Sequence, residues 1–323
     1  MRTKTTFQQQ KTAQSALKQV TLDIERDDCD DVLKQYLGAA LAANTLRAYA
    51  ADLRHFLAAG GKIPATPKCV ATYLAQCAQT HRSTTLSRRV VAIGRAHRLA
   101  GYPSPTDTPL VRATMQGIRR VVGSAVSQVA PLQKTELLQM VKGLKGIRGV
   151  RDRALLLLGF ASALRRGELV SLDFEDVRFV DEGVLLHLQR SITDQAGEGR
   201  IIAIPRIRGR HDPVRALSEW LDISSGPIFR RISRADHVLE RRLTGQAVAL
   251  VVKRRAVEAG LDPSGLAGHS LRAGFVTNAA RNGASSSSIR RQTGHKSDGM
   301  VQRYIRDTQV FADNPNRYVW RTR

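Results

Sequence analysis

Cysteine, acidic residues and long apolar runs are all in short supply. The three cysteines of the 323-residue chain, Cys29, Cys69 and Cys77, sit in its first third. They are odd in number and lack the paired spacing of a zinc site, so they read as reduced thiols, and neither a disulfide framework nor a metal is expected. No apolar stretch nears the roughly 20 residues that a membrane span requires. The opening MRTKTTFQQQKTAQSALKQV also lacks the apolar core of a secretory signal, so the expected compartment is the cytoplasm.

Acids are the sharpest deficit, with 28 Asp plus Glu against 51 Lys plus Arg and a net charge of +23. A field of that size attracts polyanions and repels basic partners. The excess is spread along the chain. Residues 32–127 hold 13 basic residues and two acids, Asp52 and Asp107, a balance of +11, and residues 128–323 hold 33 against 20, a balance of +13. A merely solubilising surface intersperses both signs. Nucleic acid is therefore the partner expected for both parts.

The length suits two domains. Residues 1–31 are poor in apolar positions and end in DIERDDCDD, which reads as an arm outside the core. Helical spacing then predicts segments over about 30–41, over 44–57 from an Asn44 cap with Leu46, Tyr49, Leu53, Phe56 and Leu57 on one face, from Thr66, and from a Ser83 cap to Gly101. A further helix starts at Thr108 and Pro109, and the pattern lapses near VVGSAVSQVAPL. These signals give a helical domain at 32–122, a linker at 123–131, a larger domain at 132–312 and a tail at 313–323 holding Tyr318 and Trp320. The larger domain reads as mainly α, with a β-hairpin from Gly183 to Pro205 around TDQAGEG.

Three short segments carry chemistry when taken together: ALRRGEL at 163–169, GHSLRAG at 268–274, and TGHKSDGMVQRYIR at 293–306. An arginine near a helix end or a lone histidine is usually structural. The ordered set of Arg, then His-x-x-Arg, then Gly-His with a Tyr nine positions later, within a strongly basic chain, is far more specific. Planar guanidinium forks suit the nonbridging oxygens of a phosphorane and stay protonated at ordinary pH. A tyrosine, with a reference pKa of about 10, is mostly protonated at pH 7, so a neighbouring histidine suits it as proton acceptor or as a ligand of the phosphate, and the sequence does not separate these roles.

On these segments the chain resembles the tyrosine recombinases, the phage integrase family of site-specific DNA recombinases, over nearly everything after the arm. NTLRAYAADLRHFL at 44–57 is similar to the family's helical core-binding domain. The fold implied is mainly α with a small β-hairpin or sheet: an N-terminal helical core-binding domain and a mixed α/β catalytic domain of the tyrosine recombinase type. The resemblance implies that Arg165 and Arg272 hold the scissile phosphate, Glu168 supports Arg165, His269 and His295 are the two histidines, and Tyr304 attacks to give a 3′-phosphotyrosyl link. It implies double-stranded DNA with a specific recombination site as partner, a homo-tetramer on two DNA sites, accessory DNA-bending proteins as a further partner class, and no cofactor or metal. A nucleoid-associated protein of bacterial, phage or mobile-element origin is the corresponding expectation.

One position departs from the family. Its hairpin carries a lysine that protonates the departing 5′ oxygen, and in QRSITDQAGEGR the corresponding place holds Ile192, which has no proton to give. Arg190 on the same strand face and Arg200 on the returning strand are the nearest cations that could substitute in part. Reduced activity, a naturally altered enzyme, a deliberate substitution and a one-residue offset in the alignment all fit. Candidates for DNA contact are Arg47 and Arg54, then Arg88, Arg89 and Arg95 on the outward face of the fourth helix. Gln246, Lys253 and Arg254 join them beside a core face of Val248, Val251, Val252 and Ala256; a solvated basic face is an equal reading there. A type IB topoisomerase or a hairpin-forming resolvase would carry the same residues. A DNA-binding architectural or regulatory protein with a weakened site is the reading that Ile192 favours.

Overall fold

The computed structural model describes residues 43–123, 129–188, 199–295 and 297–309. The expected arm, the helix expected over 30–41, the hairpin residues Arg190 and Ile192, and the tail with Tyr318 and Trp320 lie outside the described residues. The chain divides into two compact units, one within residues 1–127 and the other within 128–323.

The first unit is helical: α1 Ala43–Ala58, α2 Pro67–Cys77, α3 Ser83–Leu99 and α4 Pro109–Val122. Thr66 caps α2 by accepting a hydrogen bond from the Cys69 amide, and Pro67 occupies the first turn, where its missing N–H costs nothing. The core joins Leu53, Phe56, Val70, Leu74, Leu86, Ile93, Val111, Met115 and Ile118. Leu46, expected on the buried face, is exposed near the start of α1. Ser83 is the first helical residue rather than the cap, and its Oγ donates to the Gly123 carbonyl at 2.8 Å, tying the start of α3 to the end of α4.

Arg89 corrects the reading of α3 as carrying an outward arginine pair. It is only 4% exposed, because position 89 lies on the same helical stripe as Leu86 and Ile93. Its Nη1 meets the Cys77 sulfur at 3.1 Å, its guanidinium stacks over the Tyr73 ring, and Asp52 follows it into the core at 3.7 Å. Asp52 also accepts two hydrogen bonds from Arg88. One of the two acids within residues 43–123 is thereby buried and paired, which leaves the outer surface of these helices almost uniformly basic.

The second unit is built around α6, Gly146–Ser162, preceded by α5, Lys134–Met140. Leu155, Leu156, Leu157 and Leu158 are all buried, so the second half of α6 is apolar on every side and runs through the core, while Arg148, Arg151, Asp152 and Arg153 lie in its first half. After α7, Arg166–Ser171, come three antiparallel strands in the order β1 Val177–Val180, β2 Gly183–Leu188 and β3 Arg200–Pro205. Gly183 pairs with Pro205 and Leu188 with Arg200. Val184, Leu186, Leu188, Ile202 and Ile204 form the buried face. Helix α8, Pro213–Leu221, packs on α6 and buries Trp220, whose indole donates to the Ile228 carbonyl. A second small sheet pairs β4 Arg230–Ile232 with β5 Val238–Arg242. Four helices follow: α9 Gly245–Glu258, α10 Ser270–Arg281, α11 Ser286–Thr293 and α12 Asp298–Gln309. The fold is mostly helical with small antiparallel sheets, as the sequence implied, although β1 and the β4–β5 pair carry no legible strand signal.

Candidate active site

The site begins where α6 ends. Ala163 closes the helix with a positive φ of 52°, a conformation that costs a non-glycine residue roughly 1–2 kcal/mol. The turn directs the Ala163 carbonyl at Arg272 and leads the chain into α7 through Arg165. Glu168, in the first turn of α7, is buried and works twice. Its Oε2 accepts the Arg165 amide at 2.8 Å and its Oε1 accepts Arg165 Nη1 at 2.7 Å, so backbone and guanidinium are fixed by one carboxylate.

Arg272 lies in the first turn of α10 and is 5% exposed. Its Nη1 donates to two carbonyls, Ala163 and Thr293, each at 2.7 Å, which joins the ends of α6 and α11. Both glycines of GHSLRAG have a steric cause. A Cβ at Gly274 would lie 2.0 Å from the Leu132 carbonyl oxygen, and one at Gly268 would lie 2.1 Å from Cδ of Arg166. His269 sits at the N-terminal end of α10 with access to solvent. Partial desolvation and the guanidiniums of Arg166, Arg272 and Arg165 hold its imidazole below the ordinary histidine value.

Helix α11 ends at Gly294, which adopts a positive φ of 67° and delivers His295 into the interior. Thr293 Oγ1 donates to the Ile289 carbonyl at 2.7 Å and lies 2.7 Å from Nδ1 of His295. With its one proton committed, the hydroxyl can only accept, which assigns the proton of the neutral ring to Nδ1 and leaves Nε2 as an acceptor. Burial, then Arg272, Arg165 and Arg200, push the His295 pKa down to about 4. Tyr304 on α12 packs against Val276, Ala280, Ile289 and Val301, with its ring centroid 6.2 Å from that of His295.

A third guanidinium completes the cluster. Strand alternation puts Arg200 on the inner face with Ile202 and Ile204, and its Nη2 lies 3.9 Å from Glu168 Oε2. Desolvation and Arg165 together lower the Arg272 pKa to about 10, against the pull of Glu168 and Tyr304. Among the described residues, Nη2 of Arg272 and all three guanidinium nitrogens of Arg200 are buried without a hydrogen-bond partner. Arg165, Arg200 and Arg272 thus crowd one carboxylate, Glu168. Such an excess of buried positive charge is unfavourable unless an anion completes it. The six residues singled out in the sequence, Arg165, Glu168, His269, Arg272, His295 and Tyr304, are brought together. Arg200, named in the sequence only as a cation that could substitute in part for the hairpin lysine, joins them; its place two residues before Ile202 on the inward register is what brings it there.

The DNA-contact candidates divide. Arg47, Arg54, Arg88, Gln246 and Lys253 are exposed, and Arg95 is half-buried. Arg254 is committed in part: its Nη2 donates to Asp152, a fully buried acid that Arg151 and Arg255 also reach at 2.6 Å. No group of three or more potential metal ligands, and no helix long and apolar enough to cross a membrane, occurs among the described residues.

The model described as "Phage integrase family" matches residues 131–310. The integrase/recombinase xerD homolog of Selenomonas ruminantium is 40% identical over 295 residues, covering 87% of this chain and 86% of its own length. The crystal structure of the XerH site-specific recombinase bound to its palindromic difH substrate, a post-cleavage complex, overlays with a TM-score of 0.61 at 16% identity, covering 89% of this chain and 83% of that one. A lambda integrase tetramer bound to a Holliday junction overlays with a TM-score of 0.58 at 21% identity, covering 82% of this chain and 72% of that one.

Proposed function

The chain belongs to the phage integrase family, the tyrosine recombinases, and on that premise we propose that Tyr304 is the nucleophile of a site-specific DNA strand transfer. The protein is a DNA recombinase; the roles of its residues follow from the chemistry the site can perform. The Tyr304 oxygen bonds to the scissile phosphorus, the bond to the 5′ oxygen breaks, and the phosphotyrosyl link keeps the bond energy for rejoining. Nε2 of His295 is the acceptor for the phenolic proton. Arg165 and Arg272 oppose the charge that gathers on the nonbridging oxygens, Arg165 held by Glu168 and Arg272 by two carbonyls, so little reorganisation is needed as that charge develops. His269, open to solvent, is a further phosphate ligand or proton carrier. The observation that carries this reading is the convergence of buried guanidiniums, short of acceptors, beside His295 and Tyr304.

DNA is the partner. The finer proposals are a specific recombination site, four copies acting on two such sites, DNA-bending helpers, and a place in the cytoplasm with the nucleoid. Arg47, Arg54, Arg88, Arg95, Gln246 and Lys253 are proposed to meet the DNA. Ile192 favours a second reading, an architectural or regulatory DNA-binding protein whose cleavage is weak. Selection from random duplexes recovers the bound site, and two copies of it on one plasmid then separate the readings. A recombinase yields deletion or inversion products, whereas an architectural protein yields bound DNA and no products.

A further inference from the structure

Among the described residues, Arg200 carries a charge that the fold pairs only weakly, with Glu168 at 3.9 Å. It stands at the first position of β3, paired with Leu188, and its side chain runs inward beneath the site. Its guanidinium lies against Gly294, where a Cβ would fall 2.0 Å from Nη1, and stays 3.9 Å from Glu168, beyond hydrogen-bond reach. Glu168 already matches Arg165 at 2.7 Å. Among the described residues, Nε, Nη1 and Nη2 of Arg200 are all buried without a hydrogen bond. A residue kept for packing alone would be better as a hydrocarbon of the same length, since a largely buried cation whose one carboxylate lies 3.9 Å away and is shared with Arg165 opposes folding. The arrangement calls for an oxyanion with several oxygens, shared with Arg165 and the open Nη2 of Arg272.

We propose that Arg200 is a catalytic residue, a third guanidinium on the nonbridging oxygens of the scissile phosphate. It rests on the strand-transfer reading above. Arg200 neither gives nor takes a proton; it adds a third positive charge opposite the phosphorane. That added charge offsets part of what is lost where Ile192 replaces the hairpin lysine.

Arg200→Met tests this, because it keeps the aliphatic stem and removes the charge. Without ligand, the thermal midpoint of the full chain should stay level or rise, since a repulsive cation is gone. Inorganic orthovanadate, a probe for an oxyanion site, should stabilise the parent and stabilise Arg200→Met by less than half as much. On a duplex bearing the selected site, single-turnover cleavage should fall about 10²-fold, the scale for loss of one transition-state donor. The gap should shrink to under about tenfold on a neutral methylphosphonate, which has lost one nonbridging oxygen, because the charge that Arg200 would oppose is smaller there. It should persist on a 5′-bridging sulfur substrate. Cleavage within threefold of the parent, a loss undiminished on methylphosphonate, or a loss that vanishes on the bridging sulfur overturns the proposal. If the parent does not cut methylphosphonate, the vanadate comparison decides: equal stabilisation of both proteins, or a midpoint several degrees lower in Arg200→Met, makes Arg200 structural. A parent that forms no covalent adduct would instead sink the strand-transfer reading, and the vanadate result would still stand on its own.

Discussion

His295 shows how one side chain links the stability of the fold to its proposed chemistry. Its pKa of about 4 lies below the reference of about 6.5 for an unfolded histidine, so between those values the unfolded chain binds the extra proton. Stability from this residue is therefore complete above about pH 6.5 and is lost as pH falls toward 4, by about 3 kcal/mol at most. Denaturant midpoints measured from pH 7 to pH 4.5 should fall more steeply for the parent than for His295→Gln; parallel curves would contradict the assignment. Ile192 supplies a second test at this scale. If it stands where a general acid belongs, Ile192→Lys should speed cleavage of ordinary DNA by about 10²-fold or more, with little change on a 5′-bridging sulfur that leaves without a proton. An unchanged single-turnover rate on ordinary DNA would show that the position is not the acid's. The residue types of the site were legible in the sequence because phosphate chemistry demands few alternatives. Arg200 was legible only as a nearby cation on the returning strand, because its place in the cluster depends on strand register and on a pairing shortfall, and neither can be read from residue identity.

At the scale of elements, the short connections place the chemistry. The left-handed turns at Ala163 and Gly294 bring the ends of α6 and α11 to the same guanidinium, that of Arg272. Gly274 lets the segment at Leu132 lie against α10, where the Leu132 amide also donates to the Ser270 carbonyl. Gly274→Ala should cost about 1–3 kcal/mol, as overpacking against a fixed backbone atom does, visible as a lowered denaturant midpoint. An unchanged midpoint would mean that the contact yields easily. The helices and the hairpin were readable because their apolar periods are long and regular. β1 and the β4–β5 pair were not: VRFV, RRI and VLERR are short and charged, and are strands only because neighbours pair with them. Arg89 misled for a related reason. Its charge suggests solvent, while its helical position puts it on the core stripe, and the buried Asp52 that resolves the conflict comes from another helix.

For the whole molecule, both units carry excess positive charge, and part of the small acidic complement, Asp52, Asp152 and Glu168, is buried in pairing arginines. The surface left to solvent is more basic than the composition alone implies. DNA affinity should therefore fall steeply with salt, with a logarithmic slope of roughly −0.9 for each phosphate contacted. A flat response would contradict a DNA-facing role for that surface. The central claim, that Tyr304 becomes covalently joined to DNA, is tested most directly with a duplex carrying the selected site and a nick just beyond the cleavage point, so that the released fragment escapes and religation fails. The account predicts a denaturation-resistant protein–DNA adduct whose linked peptide contains Tyr304, and its loss in Tyr304→Phe with DNA binding nearly intact. An adduct that survives Tyr304→Phe, or none from the parent protein on DNA that it binds, would contradict the account.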